Sequence, residues 1–499
     1  MNLATTDKPS PKTAAPPPVI ADDDEMPLYE ARRRIYPIAV RGRFRTIKWV
    51  ILAITLGIYY FLPFVRWDRG PNAPSQAVLV DFPNSRFYFF FIEIWPQEFY
   101  YLTGLLILAA LVLFFMNAVA GRVWCGYLCP QTVWTDLFQS IERMVEGDPR
   151  ERREKLKHAS RLQRAFEAAA KHVLWLMVAW WTGGAWVLYF ADAPTLAMQL
   201  LTGTAPGVAY LWIGILTATT YVLAGHMREQ VCTYMCPWPR IQAALTDEYA
   251  LNVTYRYDRG EPRGSFKKTQ ALKLEGLPAG DCVDCKQCVA ACPTGVDIRD
   301  GAQLGCIQCG LCIDACDTVM AKLMRPTGLI AYDTDMNVQA RIQGKPEQRR
   351  VVRPRTLLYA ALILVTGGIM LASLATRSNE TLAVIHDRNP LFVRLSDGAI
   401  RNAYTIRVVN KELAARRFSV AVEGVPGARL EVVGEAHMPA GAAEALPVLT
   451  VGPDQTFEAR VLVSTHAPLP PEASLTATFR ITDLDSQVVA TAPDHFKGP

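Results

Sequence analysis

Two runs decide how this chain is read: Cys282-Val-Asp-Cys285-Lys-Gln-Cys288-Val-Ala-Ala-Cys292-Pro293, and Cys306-Ile-Gln-Cys309-Gly-Leu-Cys312-Ile-Asp-Ala-Cys316. Both have the spacing C-x2-C-x2-C-x3-C. Such a run wraps three thiolates around one [4Fe–4S] cubane and sends the fourth to a neighbouring cubane. The expected sets are therefore Cys282, Cys285, Cys288 and Cys316 for one cluster, and Cys306, Cys309, Cys312 and Cys292 for the other. Zinc sites use C-x2-C pairs set farther apart, which argues against zinc. Asp317 stands where proline usually follows the last cysteine of such a run. Two clusters in one small module serve to pass single electrons.

Outward from this module the chain turns apolar. Hydrophobic residues make up 51% of 499 and mean hydropathy is +0.11. These residues are gathered into stretches near 47–65, 99–119, 173–191, 207–225 and 356–375. Each is about the 20 residues that a bilayer crossing needs. Trp49, Tyr100, Trp175, Tyr210 and Tyr359 lie near their edges, as aromatic residues do at membrane interfaces. The sequence thus predicts a multidomain membrane protein with three parts: a five-helix transmembrane bundle, an inserted α+β bacterial-ferredoxin-like module, and a C-terminal all-β immunoglobulin-like sandwich. The expected boundaries are 1–45 for a disordered, basic cytoplasmic N-terminus and 46–250 for four spans in two hairpins. They continue with 251–350 for the 2×[4Fe–4S] module, 351–377 for the fifth span and 378–499 for the sandwich. The sandwich is read from short alternating runs, such as Phe418-Ser419-Val420-Ala421-Val422, separated by turn residues.

Lys and Arg set the expected orientation. They crowd the segment before the first span and the loop 120–172, whereas the loop 192–206 has none. The N-terminus and the ferredoxin module are then cytoplasmic, in a bacterial inner membrane. Five spans place the C-terminus in the periplasm. All twelve cysteines fall between Cys125 and Cys316, on the reducing side, so disulfides are not expected. The net charge of +5 and the lack of a basic-aromatic stripe argue against nucleic acid as a partner. The aromatic run Phe87–Phe91 is expected in the outer interface.

Four cysteines remain. Trp124-Cys125-Gly126-Tyr127-Leu128-Cys129-Pro130 follows the second span, and Val231-Cys232-Thr233-Tyr234-Met235-Cys236-Pro237 follows the fourth. The shared C-x-Y-x-C-P reads as a duplicated hairpin that brings the two pairs near a pseudo-two-fold axis. Cysteines at i and i+4 share a helical face, and soft thiolates select Cu(I), zinc or iron–sulfur. Copper, a further cluster and a dithiol/disulfide cycle all remain open on the residues alone, as does a plain structural role. Met227 and Met235 are candidate thioether ligands, although such methionines more often pack. His172 and His226, at span ends, read as interfacial residues rather than haem ligands.

The order of these motifs resembles the FixG/CcoG/RdxA family, the accessory proteins for assembly of cbb3-type cytochrome c oxidase, from about residue 35 to 495. The membrane half alone also resembles NapH and NosR electron-transfer proteins; the sandwich favours the first family. The resemblance implies cupric reductase activity, with Cu(II) reduced to Cu(I) at Cys125, Cys129, Cys232 and Cys236. It also implies a cytoplasmic electron donor, membrane lipid around the spans, and copper chaperones or oxidase assembly factors as partners. Two alternatives compete with this expectation. One is a quinol-linked respiratory subunit, with Glu93 as a proton-taking group, and the other is a non-enzymatic assembly scaffold.

Overall fold

The structure is a computed structural model. It describes residues 34–70, 73–348, 350–377, 380–412, 414–433, 446–453, 455–468, 470 and 474–498. Most of the expected disordered N-terminus therefore lies outside the described residues. From residue 34 onward the chain is tied down. Ile38 N–H donates to Ala290 O at 3.0 Å, Ala39 N–H to Asp148 Oδ1 at 3.2 Å, and a helix begins at Arg43.

Among the described residues, four helices are long and apolar enough to cross a membrane: Arg43–Phe64, Pro96–Ala120, Gly207–Met227 and Pro354–Ala375. Their side chains are mostly exposed, as lipid-facing helices are when no partner covers them. The sequence predicts five. The missing one, at 173–191, falls on the second half of the helix Arg161–Val187. That half opens beside Lys171 and His172, carries four tryptophans and a glycine pair, and ends before residue 191, so its apolar content is diluted.

The two ends of the predicted span 173–191 nevertheless lie at opposite ends of the bundle. At one end Trp175 stacks on Phe138 of the helix Pro130–Glu146 at 5.5 Å. At the other, Tyr189 O accepts from Val80 N–H at 2.8 Å, and Asp192 pairs with Arg66 at 2.6 Å. Val80 belongs to an antiparallel sheet of Val78–Asp81, Arg86–Phe89 and Ile92–Ile94. The run Phe87–Phe91 forms part of this sheet.

The cysteine-rich module gathers at the end where Arg43, Ala120, Met227 and Pro354 stand. Its frame is a two-stranded sheet, Asn252–Tyr255 with Ile330–Asp333, and the helix Leu311–Lys322. Asp314 on that helix caps the first span: its carboxylate accepts from Phe44 N–H at 3.2 Å and Arg45 N–H at 2.7 Å. A helix start leaves such donors unpaired, and a carboxylate satisfies both the hydrogen bonds and the dipole. Asp317, in place of proline, accepts from Gly328 N–H at 2.7 Å.

The C-terminal domain is a sandwich, as its alternation predicts. One sheet orders Arg429–Val433, Gln455–Thr465, Ile400–Asn410 and Glu380–His386, with Val393–Arg394 paired to Ile400–Asn410. The other orders Val448–Val451, Arg416–Glu423, Ser474–Asp483 and Val489–Lys497. Tyr404, Ile406, Val408, Val461 and Val463 face Phe418, Val420, Phe479 and Phe496 in one core. Lys411 reaches back to Glu98 at the start of the second span, at 2.6 Å.

Candidate functional site

The two cysteine runs have the same backbone. In the first, Asp284 and Lys286 sit at φ 51° and 55°; in the second, Gln308 and Gly310 sit at 56° and 74°. The left-handed residues flank the middle cysteine in each run. Three of these residues are not glycine, and such conformations persist only where the surroundings demand them. Backbone N–H groups point at sulfur: Val289 at Cys288, Gln308 at Cys306 and Leu311 at Cys309.

The fourth cysteines cross over. Cys316 faces Cys288, Cys285 and Cys282, and Cys292 faces Cys306, Cys309 and Cys312. Burial pushes the Cys316 and Cys306 thiols up to about 12 and Cys288 up to about 11. Two groups of four thiols, most of them buried and three of them aimed at by amide N–H groups, fit iron–sulfur clusters, whose iron supplies the positive charge that burial otherwise denies a thiolate. Among the described residues no three or more His, Cys, Asp or Glu side chains gather tightly enough to hold a single metal ion. A cubane spaces its thiolates more widely than one ion does. Cys285 is exposed, whereas Cys309 is buried.

The membrane-edge cysteines come to one cavity. Cys125, Cys129, Cys232 and Cys236 line a cavity of about 240 Å³ together with Trp124, Trp238 and Cys306. The duplication extends to the backbone. Gly121 (φ 55°, ψ −126°) and Arg228 (φ 47°, ψ −114°) make the same turn, each four residues before the first cysteine of its pair. Burial pushes the Cys125 thiol up to about 12; Cys129 and Cys232 add to this, and Arg122 opposes it. Cys232 rises to about 11, again chiefly by burial. Cys125 Sγ donates to Gln242 Oε1 at 3.3 Å. Met227 and Met235 are not among the residues lining this cavity.

The repeat is not symmetric around the cysteine-rich module. Tyr127 Oη donates to Cys309 O at 2.9 Å and meets Tyr332 Oη at 3.3 Å. Its counterpart Tyr234 is exposed. The first pair is thus docked on the Cys306–Cys312 loop, and Cys306 borders both the module and the cavity.

His172 and His226 come together, with ring centroids 5.9 Å apart, and Tyr221 Oη lies 2.9 Å from His172 Nδ1. Glu93 is paired with Arg86 at 3.0 Å, in the sheet at the opposite end of the bundle. The structure therefore does not bring these groups to the cysteine cavity. Arg122, Gln242 and Gln308 were missed as site residues. Of these, only Arg122 has a signal in the sequence, because it stands three residues before Cys125.

Three family models match this chain: a 4Fe-4S dicluster domain over 227–335, an IG-like fold at the C-terminus of FixG, putative oxidoreductase, over 370–499, and a 4Fe-4S binding domain over 102–145. The chain is 49% identical over 445 residues to Protein RdxB of Cereibacter sphaeroides, covering 89% of this chain and 91% of that protein. It is 48% identical over 436 residues to the Nitrogen fixation protein FixG of Rhizobium meliloti, covering 82% and 83%. A crystal structure of a FixG-related protein from Vibrio parahaemolyticus covers 24% of this chain and 97% of that one, at 19% identity and a TM-score of 0.20.

Proposed function

The chain belongs to the FixG/RdxA family of iron–sulfur electron-transfer membrane proteins, and on that premise we propose that it is a cupric reductase. It accepts electrons from a cytoplasmic donor and reduces Cu(II) to Cu(I) at the four membrane-edge cysteines, in support of copper-centre assembly in a cbb3-type oxidase. The protein crosses the bacterial inner membrane five times, with the helix Arg161–Val187 as the third crossing. The opposite placement of the two ends of 173–191 supports that count. The Lys/Arg bias supports a cytoplasmic module and a periplasmic sandwich.

Cys282, Cys285, Cys288 and Cys316 hold one cluster; Cys306, Cys309, Cys312 and Cys292 hold the other. When bound, each supplies storage for a single electron. The chain's own groups do the rest. Exposed Cys285 marks the edge at which a donor reaches the module. The Cys306–Cys312 loop is fixed against the membrane edge by Tyr127 and Gln308. The apolar walls of the cavity limit water.

Copper enters as substrate. Because the four thiols are not pre-gathered for one ion, binding draws the two pairs together. Thiolate ligation favours the product Cu(I) over Cu(II). The reduction consumes one electron per ion and breaks no bond.

The observation that carries this reading is that Cys306 lines the same cavity as the four edge cysteines, so the module and the edge site share a wall. Serine variants test it. Cys129→Ser and Cys232→Ser are expected to keep both clusters, read by EPR and iron content, and to lose Cu(II) reduction by tenfold or more. Unchanged reduction in both variants would remove copper from this site.

A further inference from the structure

Arg122 is a buried cation without an acidic partner. Its residue is 7% exposed. Nη1 donates to Leu304 O at 2.7 Å and Cys306 O at 3.3 Å, and Nη2 to Pro239 O at 2.9 Å. Its backbone N–H donates to Gln308 Oε1 at 2.7 Å. Three segments therefore meet on one guanidinium: the turn after the second span, the loop that opens the second cysteine run, and the loop after Cys236. Among the described residues no carboxylate stands within ion-pair distance of it. The ionisable groups that act on it are Cys306 and Cys125.

A buried charge is costly unless hydrogen bonds and opposite charge compensate it; here three carbonyls accept from it and no carboxylate among the described residues adds opposite charge. Neutral thiols do not provide that charge. Iron-bound thiolate does, and so does an electron added to the cluster behind it.

The turn itself does not require arginine here. The second hairpin builds the same backbone around Arg228, and the residue that follows it, in the place of Arg122, is Glu229. At this position the first repeat carries a cation and the second an anion; the second repeat's own buried arginine, Arg228, is instead paired with Glu142 at 2.7 Å.

We propose that Arg122 is a positioning residue that couples the two sulfur sites, holding the Cys306 loop against the edge cavity and drawing the transferred electron to that side of the module. This rests on the cluster assignment above. A fixed positive charge beside a cluster favours its reduced form. Arg122 therefore raises the potential of the cluster held through Cys306 and favours an electron placed next to the cavity.

The test is an EPR-monitored redox titration of the full-length protein, purified anaerobically. In Arg122→Gln, one of the two cluster signals is expected to move to a more negative potential. The shift corresponds to at least a tenfold change in the oxidised-to-reduced equilibrium, or about 59 mV for one electron, and the other signal stays in place. Arg122→Lys keeps the charge and loses the forked donors; both its potentials are expected to stay near wild type. A purely structural role would move both clusters together or neither, and either result overturns the proposal. Should Arg122→Gln fail to assemble, the lysine variant still decides: a tenfold shift there overturns it. If the cluster assignment itself were wrong, the wild type would lack two distinct cluster signals, which is a different outcome from two signals that do not respond to Arg122.

Discussion

Gly126 shows how tightly the membrane edge and the cysteine-rich module fit. A Cβ there would stand 2.8 Å from Ile307 O and 3.1 Å from the Cα of Cys309. Both are backbone atoms, so the clash cannot be relieved by rotating a side chain. In the second repeat the same place holds Thr233, whose hydroxyl simply donates to Glu229 O at 3.0 Å. Gly126→Ala is therefore expected to cost about 1–3 kcal/mol through overpacking and to lower the occupancy of the Cys306–Cys312 cluster, read as iron per protein and EPR spin count. Full occupancy would show that the loop docks less closely than described. At the other end of the molecule, Glu380 is buried beside Asp483, and burial and that neighbour push its carboxyl up to about 7. The folded state then holds a proton that the unfolded chain releases near pH 4.5. Its stabilising contribution is full below that pH and is lost as pH rises towards about 7. The thermal midpoint of the wild type should fall across this window relative to Glu380→Gln. Parallel curves would contradict it.

Among the elements, the join between the first span and the helix Leu311–Lys322 depends on one carboxylate. Asp314→Ala removes the acceptor for Phe44 and Arg45 N–H. Loss of such a cap costs about 0.5–2 kcal/mol and should speed amide exchange at residues 43–46. Unchanged exchange would place the anchorage elsewhere. The partners in this join are about 270 residues apart, and no local period in the sequence announces them. The same holds for Arg122 with Leu304 and for Glu98 with Lys411. What was legible is what is local. The C-x2-C-x2-C-x3-C runs carry their left-handed residues within themselves. The strands of the sandwich alternate because one face of each is buried. The C-x-Y-x-C-P repeat shows by identity alone. The apolar run read at 173–191 falls on the helix Arg161–Val187, whose amphipathic tryptophans leave it less apolar than the other four while suiting it to a membrane interface.

The whole molecule has two ends with different tasks. The cysteines, the duplicated turns and the cap on the first span lie at one end. At the other, Glu98 meets Lys411 and Arg377 at 2.6 and 3.6 Å, tying the start of the second span to the sandwich and to the end of the last span. In the proposed topology these ends are cytoplasmic and periplasmic, so Cu(I) made at the cysteines and any partner bound by the sandwich are on opposite sides of the bilayer. The copper claim is best tested on the protein as a whole. Full-length protein is purified anaerobically, its clusters are reduced, the excess reductant is removed, and Cu(II) is added with a Cu(I)-specific chelator present. One Cu(I) per electron stored is expected, appearing as the reduced-cluster EPR signals disappear. Clusters that stay reduced, with no Cu(I) trapped, would contradict it.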